Sequence, residues 1–112
     1  MYTVYGISSC STVSKARRFL EEKGHQYEFH DFKTHGVDEG MISKLETQVG
    51  WEIMLNKRST TWRQLDDAQK TDVNQQKAIA LMVEKPTLIK RPLLDTGEQI
   101  LVGFKAEEYE AL

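Results

Sequence analysis

A single cysteine stands among the 112 residues. No intramolecular disulfide can form, which excludes a secreted disulfide scaffold, a four-ligand thiolate zinc site and internal dithiol redox cycling. A strong net charge is missing too: 15 basic residues face 17 acidic ones, so no overall field draws the molecule to nucleic acid or anionic lipid. No apolar run approaches the roughly 18 residues that span a bilayer. The opening Met-Tyr-Thr-Val-Tyr is neither a basic leader nor a signal core. These absences predict a cytoplasmic protein with no membrane association and no direct nucleic-acid partner. Internal repeats, low-complexity tracts and linker-like composition shifts are also lacking. What is present, 39% hydrophobic and 29% charged residues, suits one globular domain over residues 1–112, about 13 Å in radius of gyration.

Along the chain, Met1 to Ile7 is rich in β-branched and aromatic residues and predicts a strand ending at Gly6. From Thr12 the pattern turns helical, with Val13, Ala16 and Leu20 on one face and Gly24 as the stop. Gln26 to Phe32 alternates again and predicts a second strand, parallel to the first through the crossover helix. Asp38 can cap a helix carrying Met41, Ile42, Leu45 and Val49 that ends at Gly50, with a short apolar turn from Trp51 to Leu55 behind it. Asn56 to Leu65 has no clean period and reads as loop. Thr71 or Asp72 can cap a further helix reaching about Lys85, and Pro86 suits the first position of a short helical turn. Asp95-Thr96-Gly97 then turns between strands at Leu93-Leu94 and Gln99 to Val102, and a last helix runs from about Ala106 to Leu112. The fold class is α/β, ordered β-α-β, helical middle, β-β-α.

Cys10 falls where the first strand becomes the first helix. A lone cysteine is often only a small buried apolar group. At a helix amino end, however, unpaired N–H groups and the helix dipole stabilise a thiolate and make the sulfur nucleophilic. The backbone N–H groups of Ser11 and Thr12 are the expected donors, and they suit a substrate anion equally well.

The stretch Tyr5-Gly6-Ile7-Ser8-Ser9-Cys10-Ser11-Thr12-Val13-Ser14-Lys15-Ala16-Arg17 and the segment Lys90-Arg91-Pro92-Leu93 resemble the arsenate reductase (ArsC) family. Leu55-Asn56-Lys57-Arg58-Ser59-Thr60-Thr61-Trp62-Arg63 and the ending Val102-Gly103-Phe104 are most similar to its Spx/YffB branch, YffB-type proteins in particular. The resemblance runs the full length and implies a thioredoxin-like fold with a helical insertion. It further implies that Pro92 is cis and stands beside the cysteine, that Arg91 points into the site, and that Arg58 and Lys105 occupy the places of further anion-holding cations. The chain also departs from the family. Arsenate reductases carry a histidine four positions before the nucleophile, where this chain has Gly6, and Gly-Thr-Ser after it, where this chain has Ser11-Thr12-Val13. Spx regulators carry a Cys-x-x-Cys switch, and Val13 occupies its second position.

The resulting expectation is a monothiol oxidoreductase with Cys10 as nucleophile and Arg91 assisting it. Ser11, Thr12, Arg58, Pro92 and Lys105 line the anion site, and glutathione or another small thiol is the co-substrate, with no bound cofactor. A protein-binding regulator like Spx is the alternative, with a protein partner in place of chemistry, and arsenate reduction is a third reading. Other residues read as packing or solvated surface. His25, His30 and His35 lack metal-pair spacing, Trp51 and Trp62 suit core or rim, and Arg17-Arg18 suits a solvated helix face.

Overall fold

The structure is a computed structural model describing all residues from Met1 to Leu112. The chain forms two compact units: Met1–Gly36 together with Arg91–Leu112, and the intervening Val37–Lys90.

The first unit is built on a four-stranded mixed sheet in the order β2-β1-β3-β4. Strand β1 (Tyr2–Gly6) leads to helix α1 (Ser11–Glu22) and strand β2 (Tyr27–Asp31), which pairs in parallel with β1 from Tyr2↔Tyr27 to Gly6↔Asp31. The hairpin β3 (Leu93–Asp95) and β4 (Ile100–Val102) joins on the other side, with β3 antiparallel to β1. A core forms from Val4 of β1, Ala16 and Leu20 of α1, Leu94 and Leu101 of the hairpin, and Tyr109 of the last helix, Ala106–Glu110. The period-2 and period-3.6 patterns of the sequence converge on this cluster. Phe104 and Phe19 meet Tyr109 edge-on, at ring separations of 4.8 and 6.0 Å, so the chain end is clamped to α1. Burial, reinforced by Glu108, raises the Tyr109 pKa and keeps its enclosed hydroxyl protonated. Gly24, just past α1, has φ +77, a conformation that favours glycine.

Strand β2 ends one residue earlier than the alternation suggests. Asp31 turns the chain into a short helix, α2 (Phe32–His35), by accepting a hydrogen bond from the Lys33 N–H at 2.8 Å. Arg17 also differs from its expected solvated role. Its guanidinium lies 4.0 Å from the Phe29 ring centroid, and its Nε donates to the Tyr27 hydroxyl at 3.1 Å.

The second unit is helical. Helix α3 (Glu39–Val49) starts at Asp38, whose carboxylate accepts from the Met41 N–H, and ends at Gly50 with φ 91, as expected. It packs against α7 (Gln75–Glu84), which is followed by a 3-10 turn at Pro86–Leu88. The short helix α4 (Trp51–Met54) lies between them in sequence, and a Leu55↔Ile89 bridge ties the segment after α4 to the 3-10 turn. The expected Asn56–Leu65 loop is partly helical. Ser59 caps α5 (Thr60–Gln64), and Asp66 with Gln69 closes a capping box on α6 (Asp67–Lys70). Five residues are too few to display a period. The cap of α7 is Asn74, accepting from the Lys77 N–H, and not Thr71 or Asp72; Asp72 sits at φ 52, outside the extended conformation a cap adopts.

Glu46 is a buried carboxylate in this unit, 6% exposed. It accepts from the Trp51 N–H at 3.1 Å and from the Gln75 amide at 2.5 Å, tying α3 to α4 and α7. Replacing Glu46 by Ala leaves these donors without their acceptor and is expected to cost about 2 kcal/mol. Urea unfolding should show a lowered midpoint for Glu46→Ala and a smaller loss for Glu46→Gln; an unchanged midpoint for Glu46→Ala would contradict the assignment.

Candidate functional site

Between β1 and α1 the chain makes a tight turn in which the Cys10 N–H donates to the Ile7 carbonyl at 3.0 Å. Cys10 is the N-cap residue of α1, with extended φ and ψ, and its carbonyl accepts from the Ser14 N–H at 3.1 Å. The helix therefore begins at Ser11, one residue before the apolar pattern does. The thiol is half-buried.

Partial burial opposes ionisation of Cys10, but it is outweighed. The Val13 N–H, the Arg91 side chain and the Thr12 N–H act on the sulfur, with the charge of Arg91 adding to them, and the thiol pKa lies below its ordinary value. The sulfur makes no full cap hydrogen bond in the manner of a Ser or Asp cap. Its stabilisation is thus the electrostatic one of N–H dipoles and a guanidinium facing a large polarisable atom. The backbone N–H groups that act on the sulfur are those of Thr12 and Val13.

Arg91 precedes Pro92 across a cis peptide bond. Pro92 is buried, and its carbonyl accepts from the Gly103 N–H at 2.8 Å, which anchors this segment to the end of β4. Lys105 is exposed at the N-cap of the last helix, where its carbonyl accepts from Glu108 and Tyr109. Arg58 belongs to the other unit and is exposed. Its N–H donates to Asn56 Oδ1 and its carbonyl accepts from Arg63, both at 3.0 Å. Of the residues read from the sequence, the structure joins Cys10, Thr12 and Arg91 around one atom, and it adds Val13.

Gly6 faces this helix. A Cβ at Gly6 would lie 2.7 Å from Val13 Cγ2 and 3.1 Å from Cγ1, so β1 and α1 approach as closely as they do because residue 6 has no side chain. Gly6 and Val13, two of the positions where the chain departs from the family pattern, thus pack against each other. Asp31 is the residue that sequence reading missed: its Oδ2 accepts from the Ser8 N–H at 3.2 Å, inside the turn that delivers Cys10. Only its second contact, the cap of α2 through the Lys33 N–H, is local, and the contact with Ser8 spans 23 positions. The His30 and His35 rings meet at 5.3 Å, tilted by 46°, and no group of three or more His, Cys, Asp or Glu side chains is placed to hold a metal ion. Lys57 lies over the Trp62 ring at 5.6 Å.

The pattern defining the ArsC family matches residues 5–112. The chain belongs to the ArsC family. An uncharacterised protein of Haemophilus influenzae is 42% identical to it over 111 residues, covering 99% of this chain and 97% of its own. A solved structure of a YffB protein superposes with a TM-score of 0.95 at 45% identity, covering 99% of this chain and 97% of the other. The global transcriptional regulator Spx of Streptococcus mutans is 26% identical over 114 residues, covering 99% of this chain and 82% of Spx. These matches bear out the thioredoxin-like α/β fold and the Spx/YffB likeness of this ArsC-family chain. They support a thiol-redox, ArsC-like function. No helix is long and apolar enough to cross a membrane.

For this ArsC-family site, Gly6→Ala is expected to destabilise the fold by about 1–3 kcal/mol, the usual cost of overpacking. Adding Val13→Ala should recover part of that loss, which chemical denaturation of both single variants and the double variant will measure. Additive losses would show that the contact is not limiting.

Proposed function

We propose that this protein is a glutathione-dependent monothiol oxidoreductase with Cys10 as its nucleophile. The observation that supports the reading most is the placing of the Arg91 side chain and two helix N–H groups around the sulfur, which favours the thiolate against partial burial. In the first step the Cys10 thiolate attacks one sulfur of a disulfide. A Cys10–S–S–R bond forms, the original S–S bond breaks, and the other half leaves as thiolate. No second cysteine exists in the chain, so a glutathione thiolate attacks the mixed disulfide. Cys10 is released as thiolate and R leaves joined to glutathione. Arg91 stabilises the attacking and departing thiolate and pairs with a carboxylate of glutathione. Lys105 and Arg58 are weaker anion-holding positions in this scheme.

The lowered thiol pKa has a signed consequence for stability. Between the folded and the unfolded pKa the folded state binds fewer protons, so this contribution strengthens with rising pH and vanishes below the folded value.

A second reading is favoured by the full-length likeness to a transcriptional regulator: a protein-binding adaptor in which Cys10 only packs. Capture of a stable protein partner, unchanged by Cys10→Ala and without any thiol chemistry, would favour it. Arsenate reduction fits less well, because Gly6 stands where arsenate reductases carry a histidine.

Incubation with oxidised glutathione should add one glutathionyl mass to the wild type at neutral pH and none to Cys10→Ser. Arg91→Ala should raise the Cys10 pKa and slow the addition, by less than about tenfold for each unit of the rise, because the more basic thiolate is the better nucleophile. Intact-mass spectrometry reads all three, and a wild type that forms no adduct would overturn the proposal.

A further inference from the structure

Asp31 is a buried carboxylate, 7% exposed, that the reaction scheme does not use. It closes the parallel ladder opposite Gly6, the last residue of β1. Both of its oxygens are engaged: Oδ1 accepts from the Lys33 N–H at 2.8 Å, and Oδ2 accepts from the Ser8 N–H at 3.2 Å. Its own N–H donates to His35 Nδ1 at 3.2 Å, fixing the residue from the other side. Ser8 is two residues before Cys10 and lies within the turn closed by the Cys10 N–H and the Ile7 carbonyl. Strand β2 therefore holds the β1–α1 turn by a side chain, beyond the point where backbone pairing stops.

We infer that Asp31 is a positioning residue for Cys10: by holding the Ser8 N–H it fixes the turn that sets the sulfur against the Thr12 and Val13 N–H groups and the Arg91 side chain. The inference deepens the thiolate reading of Cys10 and rests on it. Burial of Asp31 opposes its charge, yet the Lys33 N–H, the Ser8 hydroxyl and N–H, and the Thr34 N–H overcome that cost and hold the carboxyl below its usual range. The carboxylate is thus ionised, and able to accept, wherever the thiol chemistry operates.

The sign of the effect separates this role from two others. A carboxylate acting only as a nearby negative charge raises a thiol pKa, so its removal would lower that of Cys10. A carboxylate acting only as the cap of α2 would change stability and leave the thiol unmoved. A positioning residue does the opposite of the first and more than the second: its removal loosens the turn, weakens the donor contacts and raises the Cys10 pKa.

Two variants test this. Asp31→Asn removes the charge at nearly constant shape. Asp31→Ser keeps a hydroxyl suited to capping α2 but is too short to hold Ser8. Iodoacetamide alkylation of Cys10 across pH should show the pKa raised in both variants and the rate near neutral pH reduced about three- to tenfold, with the Ser8 amide exchanging faster. An unchanged or lowered Cys10 pKa in both folded variants would overturn the inference. The wild-type titration reports separately on the thiolate reading, because an ordinary wild-type pKa sinks that reading, whereas the variant-minus-wild-type shift reads the hold on the turn. If neither variant folds, the wild type decides: protection of the Ser8 amide should fall as acid protonates Asp31, and protection that persists would overturn the role.

Discussion

The site depends on how closely α1 approaches β1. Gly6 presents no side chain, Val13 fills the space, and Cys10 caps the helix with two of its first N–H groups near the sulfur. A larger residue at position 6 would push the helix out or force Val13 aside. The β1–α1 turn is closed on one side by the Ile7 carbonyl and on the other by the Asp31 carboxylate. The hairpin supplies the remaining element, since Arg91 enters at the start of β3 and the next residue, Pro92, is fixed through Gly103. Each of these contacts belongs to the first unit, so the chemistry of the thiol is set by the sheet and α1.

The electrostatics follow from that geometry. A near-neutral chain has no field of its own to offer a thiolate, and the stabilisation comes from short-range groups instead: two helix-terminal dipoles and one guanidinium. Such local terms act most strongly where solvent is partly excluded, which suits a half-buried sulfur. The lone cysteine also sets the form of the proposed cycle, because the electrons that regenerate it must come from another molecule.

Much of this was legible in the residues. The alternation through Tyr2–Gly6, the apolar stripe Val13, Ala16, Leu20 and the Asp95-Thr96-Gly97 turn specify the sheet and its crossover helix, since these elements bury one face and leave a clear period. The Asp38 cap and Gly50 stop bound α3 for the same reason. What escaped has no period to read. Helices α5 and α6, of five and four residues, bury no residue and are held by their caps at Ser59 and Asp66. Asp31 was hidden because its role lies in a contact with Ser8, 23 positions away, which no local pattern encodes. Arg17 looked solvated because its partners, Tyr27 and Phe29, are on another element. Val13 joins Thr12 as a donor to Cys10 because the helix starts with Ser11, before its first apolar residue.

The central claim is that the fold lowers the Cys10 thiol pKa and so favours its thiolate. Ultraviolet titration of the wild type, with Cys10→Ser as the blank for tyrosine ionisation, measures this without any added substrate. The account predicts half-ionisation of Cys10 clearly below the free-thiol value of about 8.5. A midpoint at or above that value would contradict it.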